Sequence, residues 1–394
     1  MPRVALAQRP ARTFGRYGYG VDWPIRYEEL EPYYCAAEDL MGVAGPVLGP
    51  SPRSRPYPLP PHRLSDPDRL LAEAYPDAFF PLPSARPTQP FGDRPECCAS
   101  GYCELCPIDS KHTVLNSMEA LRADPRVELV LGATVEAVVI AGGTARGVSY
   151  RTAEGEAESR GDLVALGANA AFNPHLLLRS GLREAPTGQG LCEQVGVVVD
   201  VHLDGLDSFQ GSTSHTGHGY MLYRRADRGR RAAALLETWN QPLLRPEPGK
   251  WRARMPLAVL FEDIPSAASR VTVDQEAPER PLLSYAGPSP HTERGIATLA
   301  EDLERVLAPL PVERVLVQPQ PRASEGHILC TTPMGNDPDS SVVDRDQTHH
   351  RVRNLLVLGR SVFPTCPPAN PTLTLCALSL RAAERLLRSP SRPG

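Results

Sequence analysis

Residues 327–387 read HILCTTPMGNDPDSSVVDRDQTHHRVRNLLVLGRSVFPTCPPANPTLTLCALSLRAAERLL. Within them, Leu355 to Leu358 is a short, continuous apolar run, the texture of a buried strand, and Gly359 ends it. After a loop comes Asn370-Pro371, a favoured N-cap followed by a favoured first helical residue. Leu373, Cys376, Ala377, Leu380, Ala383 and Leu387 then recur at helical spacings and predict a final helix with these residues on one face. Strand, loop and helix in this order predict the closing part of an α/β domain.

The same texture occurs earlier. Asp162–Leu166 reads as a buried strand ending in Gly167-Ala168, and a helix is predicted from about Asn173-Pro174 to a stop at Ser180-Gly181. Before it stand a helical stretch, Val114–Arg122, and strands at Val127–Leu131 and Thr134–Ile140. Gly142-Gly143 is a hairpin turn signal, and Gly147–Arg151 returns from it. Residues 192–314 are strand-rich with one strong helix, Glu293–Leu307. Near the front, Trp23-Pro24 reads as a turn. An amphipathic helix follows, with Leu30, Tyr33, Tyr34, Ala37 and Leu40 on one side and Gly42 as its C-cap.

With 394 residues the chain can bury the cores of two domains. Its 41% hydrophobic and 22% charged residues are those of an ordinary globular protein. A net charge of −4 speaks against nucleic acid or an anionic membrane as partner. No apolar run approaches the roughly 20 residues needed to span a bilayer, and the first ten residues lack the apolar stretch of a signal peptide. The 43 prolines are about twice the usual share. Their concentration between Pro46 and Pro107 predicts a long irregular excursion rather than regular helix or sheet. Disorder is the alternative there, but Tyr57, Leu59, Leu71, Phe79, Phe80 and Phe91 favour packing, because disordered chains are poor in aromatics.

Four of the nine cysteines cluster as Cys97, Cys98, Cys103 and Cys106. An odd total with one tight cluster fits a metal or cluster site better than a disulfide framework. Thiolates in a tight loop with a trailing proline suit an iron–sulfur cluster. Zinc, another metal, a disulfide and structural thiols remain open. Cys98, Cys103 and Cys106 are the best candidate ligands, and Cys97 is the less suitable fourth, because adjacent cysteines rarely share one ion comfortably. His215-Thr-Gly-His218 has no nearby carboxylate or cysteine and reads as surface or substrate-domain histidines. His349-His350 reads as solvent-facing. A dinucleotide site usually has a strand, a G-x-G-x-x-G turn and a helix, which aim backbone N–H groups at the pyrophosphate. That fingerprint is absent: Gly15–Gly20 has the wrong spacing, and Gly188 and Gly190 lack the third glycine and the helix.

The quoted tail nevertheless resembles the closing section of the glucose–methanol–choline (GMC) oxidoreductases. The shared order is His, Met-Gly, Asp-Pro, Ser-Val-Val-Asp, Asn-Leu-x-Val, Ser-x-Phe-Pro-Thr and Asn-Pro-x-x-Thr. GANAAFNPHLLLRSGL from Gly167 is similar to the family's inner signature. DWPIRYEELEPYYCAAEDLMGVAG from Asp22 is similar to the segment between the flavin-binding start and the substrate domain. CCASGYCELCPIDSK from Cys97 is similar to a cysteine-rich insertion of bacterial members that pass electrons to cytochromes. The likeness covers nearly the whole chain in order. One departure is the run from Cys330 to Gly335, where the family's arginine before Met-Gly is missing.

The resemblance implies an α/β (α+β) fold, with a partial FAD/NAD(P)-binding Rossmann-like domain and an antiparallel-sheet substrate domain. It divides the chain into a Pro-rich covering segment with the cysteine cluster (1–112), part of the FAD-binding domain (113–191), a substrate-binding domain (192–314) and the C-terminal part of the FAD-binding domain (315–394). It implies FAD as cofactor, an alcohol or sugar-like donor, His327 as base and Asn370 as hydrogen-bond partner of the substrate oxygen. Val135, Gly167, Ala168, Gly359, Arg360, Pro371 and Thr372 are the implied cofactor contacts. Only residues 1–21 precede the Asp-Trp-Pro segment, where members carry a glycine loop, so the chain is expected to be truncated. A non-catalytic fragment of a split or degenerate flavoenzyme, and an iron–sulfur or zinc binding protein, are the alternatives. A small-molecule alcohol, and an electron-acceptor subunit or cytochrome if the cysteines hold a cluster, are the expected partners. The default compartment is the cytoplasm, or the periplasm through a partner subunit.

Overall fold

The computed structural model describes residues 18, 21–49, 51–184 and 186–388. Trp23 lies buried against Phe363, ring centroids 5.1 Å apart, and its indole N–H donates to Thr365 Oγ1 at 2.7 Å. Helix α1 (Tyr27–Met41) follows, stopped as expected by Gly42 in the left-handed conformation, φ 60°. Leu30, Tyr34 and Ala37 are buried but Leu40 is exposed, so the inward face is turned slightly from the expected one. It takes in Glu31 and Glu38, whose carboxylates accept hydrogen bonds from Ser54 and Arg53 respectively.

The Pro-rich excursion is more regular than its composition suggests. Helix α2 (Asp66–Ala74) forms because Ser65 and Asp68 make a capping box ahead of Leu71. Strand β1 (Phe79–Pro81) follows. The expected aromatic packing holds for Phe79 and Phe80, which are buried. Two single turns, Val114–Ser117 and Glu119–Arg122, replace the expected longer helix. The expected strand Val127–Leu131 does not form: it has no partner strand, and Leu129 and Leu131 stand in solvent.

Strands β2 (Thr134–Ala141) and β3 (Thr144–Thr152) form the expected hairpin, with Gly142 and Gly143 at φ 59° and 74° supplying the turn. Strand β4 (Gly155–Arg160), which is exposed throughout and has no apolar pattern to announce it, completes a three-stranded meander. Strand β5 (Val164–Leu166) leads into α3 (Asn169–Arg179). Pro174 sits inside α3 rather than in its first turn, because the helix starts four residues before the expected Asn173.

The middle of the chain builds a six-stranded antiparallel sheet. Its strands are β6 (Val195–Leu203), β7 (His215–Gly219), β8 (Ala234–Trp239), β9 (Arg254–Phe261) and, further on, β12 (Val312–Val317). Their order is β1-β7-β8-β9-β6-β12. A small hairpin, β10 (Arg270–Val273) and β11 (Pro281–Ser284), stands apart. The expected single helix divides into α4 (Pro290–Ala297) and α5 (Leu299–Val306), and Leu299, Leu303 and Val306 of α5 share one core with the sheet.

Strand β13 (Leu355–Val357) pairs in parallel with β5, and both are largely buried. The final helix α6 (Thr372–Arg388) packs on α1, where the Tyr34 hydroxyl meets Thr374 Oγ1 at 2.9 Å. Its buried face is Leu373, Thr374, Ala377, Leu378, Arg381 and Ala382, whereas the expected Leu387 is exposed. Among the described residues no helix is long and apolar enough to cross a membrane. The fold is α/β, with a parallel strand pair and helices on one side and an antiparallel sheet on the other.

Candidate active site

The two parallel strands end side by side, and ligands of open α/β sheets bind outside such carboxyl ends. Gly167 and Ala168 follow β5, and Gly359 and Arg360 follow β13. Asn173 ties the two turns together. Its Oδ1 accepts from the Ala168 N–H at 2.8 Å, and its Nδ2 donates to Leu358 O at 2.8 Å and to Ser361 Oγ at 2.9 Å. Gly359 takes φ 95°, ψ −162°, a backbone that side chains rarely adopt, and the space a Cβ would enter is open. These four expected contacts therefore meet. Val135 stands apart from them, exposed on β2 opposite Tyr150.

His327 lies beside the Arg360 turn, because the Arg360 guanidinium donates to Gly326 O at 2.7 Å. The His327 backbone N–H donates to Glu193 Oε1 at 2.5 Å, and its Nδ1 is buried with no hydrogen-bond partner. Burial, with the Arg360 and Arg322 charges, lowers the imidazole pKa to about 4. At neutral pH it is uncharged and able to accept a proton.

Asn370 reaches across to the antiparallel sheet. Its Nδ2 donates to Glu237 Oε1 at 2.8 Å, and its Oδ1 accepts from Gln194 Nε2 at 3.4 Å. Pro371 is buried behind it and Thr372 opens α6. Glu193 and Gln194, one residue after the other, thus hold the candidate base and the candidate amide. Glu237 is buried on β8, and sheet register sets it directly opposite His218 on β7, with His218 Nε2 4.0 Å from Glu237 Oε1. Burial pushes the Glu237 carboxyl up to about 7 and pulls the His218 imidazole down to about 3. Neither ring nitrogen of His218 has a hydrogen-bond partner. Glu325 enters beside β6 where Gly196 leaves room, since a Cβ on Gly196 would lie 1.8 Å from Glu325 Oε1.

Sequence reasoning missed Glu193, Gln194, Glu237 and Glu325. One signal was available: Glu237 interrupts ALLETW, an otherwise apolar strand, and a buried acid needs a reason. His215 and His218 lie on β7 of the antiparallel sheet, His218 buried and His215 half-buried with its Nδ1 2.9 Å from Ser214 Oγ. His349, expected in solvent, is buried, with Nδ1 accepting from the backbone N–H groups of Arg351 and Val352.

The cysteine loop is a correction. Among the described residues no three His, Cys, Asp or Glu side chains converge to hold a metal ion. Cys98 points into solvent. Cys103 Sγ takes Arg86 Nη1 at 3.1 Å and Ser214 Oγ at 2.9 Å, and Cys97 Sγ lies 3.6 Å from Thr213 Oγ1. Burial raises the Cys106 pKa, but the surrounding Lys111, Ile108 and Ser110 backbone N–H groups outweigh it and hold the thiol lower than usual. The residues therefore do not fit an iron–sulfur cluster through Cys98, Cys103 and Cys106. They do fit a flavin dinucleotide in part. The open Gly359 turn and the buried, unpartnered His327 Nδ1 are groups that want a ligand, with the half-buried Arg360 beside them, although the chain has no G-x-G-x-x-G loop.

A family model described as GMC oxidoreductase matches residues 265–379. The fructose dehydrogenase large subunit of Gluconobacter japonicus is 24% identical over 94% of this chain and 75% of its own length. The 2-methyl-1,2-propanediol dehydrogenase of Mycolicibacterium austroafricanum is 26% identical over 93% and 75%. Among solved structures, pyridoxine 4-oxidase from Mesorbium loti superposes with a TM-score of 0.67 over 98% of this chain and 82% of its own, at 18% identity. That likeness is one of fold.

Proposed function

From the premise that this chain is a member of the GMC oxidoreductase family, a flavin-dependent group acting on CH–OH donors, we propose that it oxidises an alcohol or sugar-like substrate with His327 as base and Asn370 as oxygen-binding amide. The observation that carries this reading is the shared anchorage of the two residues on Glu193 and Gln194. FAD, when bound, supplies the acceptor for the hydride leaving the carbinol carbon. Gly167, Ala168, Gly359 and Arg360 at the strand ends, and Pro371 and Thr372 at the start of α6, would hold it.

The protein's own part is proton and oxygen handling. A neutral imidazole with a free buried nitrogen takes the hydroxyl proton. Asn370 spends one of its two Nδ2 hydrogens on Glu237 and keeps the other for the substrate oxygen. The buried surroundings strengthen both contacts. The relative named as a large subunit works beside other subunits by that name, and an electron-accepting partner is the corresponding proposal for this chain.

The test is steady-state oxidation of sugars and polyols with an artificial acceptor by the flavin-loaded protein. Activity lost in both His327→Ala and Asn370→Ala, with flavin retained, supports the assignment. Full activity in either variant overturns it.

A further inference from the structure

We propose that Glu237 is a positioning residue for Asn370: its carboxylate decides which end of the carboxamide, N–H or oxygen, is turned to the substrate. The inference rests on the reading of Asn370 as the oxygen-binding amide and goes beyond it.

An ionised carboxylate can only accept hydrogen bonds, so the Asn370 edge 2.8 Å away must be Nδ2. The same orientation turns Oδ1 to Gln194 Nε2 at 3.4 Å. One Nδ2 hydrogen is then fixed by Glu237 and the other is available to a substrate oxygen. A protonated Glu237 becomes a donor, and the partner it then prefers is Oδ1. The flipped amide would turn its Nδ2 toward Gln194, whose Oε1 is buried and has no partner to accept from at present. Gln194 now presents Nε2 to Asn370 and would turn its own carboxamide over in step; with that paired flip both orientations can be satisfied, and the charge on Glu237 chooses between them.

The surroundings leave Glu237 close to that choice. His218 faces it from β7 with an uncharged ring, its pKa about 3. On its other side the sheet offers Ala258 of β9, which is neutral. Burial and the Glu325 carboxylate raise the Glu237 pKa, while Arg86 and the Asn370 hydrogen bond lower it, and it comes to rest at about 7.

The test compares wild type, Glu237→Gln, Glu237→Asp and Asn370→Ala, each flavin-loaded. Wild-type kcat/KM should rise with pH through a group at about 7. Glu237→Gln, whose own amide can face either end of Asn370, should lose that inflection, with kcat down roughly tenfold or more and KM changed less. Glu237→Asp should recover part of both. Unchanged kcat and inflection in Glu237→Gln, beside an inactive Asn370→Ala, would overturn this inference and leave the wider reading standing. An active Asn370→Ala would overturn both. A readout independent of turnover is the infrared carbonyl band of a protonated buried acid. It should vanish as pH rises through neutrality in wild type and be missing from Glu237→Gln, and a wild type without such a band overturns the proposal even where Glu237→Gln fails to fold.

Discussion

Gln194 and Asn370, 176 positions apart in sequence, meet in a 3.4 Å side-chain hydrogen bond. The residue before Gln194, Glu193, holds the backbone of His327. This one dipeptide, at the entry to β6, brings the end of the antiparallel sheet to both His327 and Asn370.

His327 is anchored through its backbone N–H, so removing the imidazole should leave the segment in place. His327→Ala is expected to lower kcat by about 10²–10⁴-fold, the worth of a general base, with melting temperature and flavin content close to wild type. A loss of folding instead would show the ring to be structural.

Glu325 raises the Glu237 pKa through its negative charge. Replacing it by Gln removes that repulsion, so the midpoint of the Glu237 titration, read in the pH profile or by infrared spectroscopy, should move to lower pH in Glu325→Gln. A midpoint that stays or moves up would separate the two acids electrostatically.

Acid should destabilise the fold well above the carboxylate range. Burial lowers the pKa of His62, His327 and His349 to about 4 and of His215 and His218 to about 3. As pH falls below about 6.5 the unfolded chain binds protons that the folded one refuses, so stability drops until about pH 4 or below. Glu237 opposes this with a single proton that the folded state takes up first. Thermal melts should therefore show a falling melting temperature from pH 7 to 4, and a flat profile would mean the histidines are hydrated.

The cysteines should differ sharply toward an alkylating reagent. Cys98 is exposed, whereas Cys192, Cys330 and Cys366 are buried, with thiol pKa values pushed up. Because the thiolate is the nucleophile, brief labelling followed by mass spectrometry should find Cys98 modified and the buried three untouched in the native protein. Comparable rates at both would contradict the packing around β6 and the Cys366 loop.

The sequence carried the strand ends and the place of the last helix, because Gly359 after an apolar run and Pro371 before a periodic one are local signals; the cap was misplaced by one residue, since α6 starts at Thr372 and the Asn370 side chain bonds Glu237 and Gln194 instead of capping it. It misled at Val127–Leu131, whose apolar texture meets no partner strand, and at Leu387, since the rotation of α6 is set by α1 packing on it. The partners of Asn370 were invisible for another reason. Gln194 stands just before β6 and Glu237 on β8 of the antiparallel sheet, and nothing in the spacing of polar residues reports which of them face one amide. Family likeness supplied His327 and Asn370, and only the packed sheet supplied what holds them.

The most direct test of the account is anaerobic mixing of the flavin-loaded protein with sugar and polyol donors, following the bleaching of the flavin's visible band. Wild type should be bleached by at least one CH–OH donor, and His327→Ala should be bleached at least about 10²-fold more slowly. Bleaching by no such donor, or at equal rates in both proteins, would contradict it.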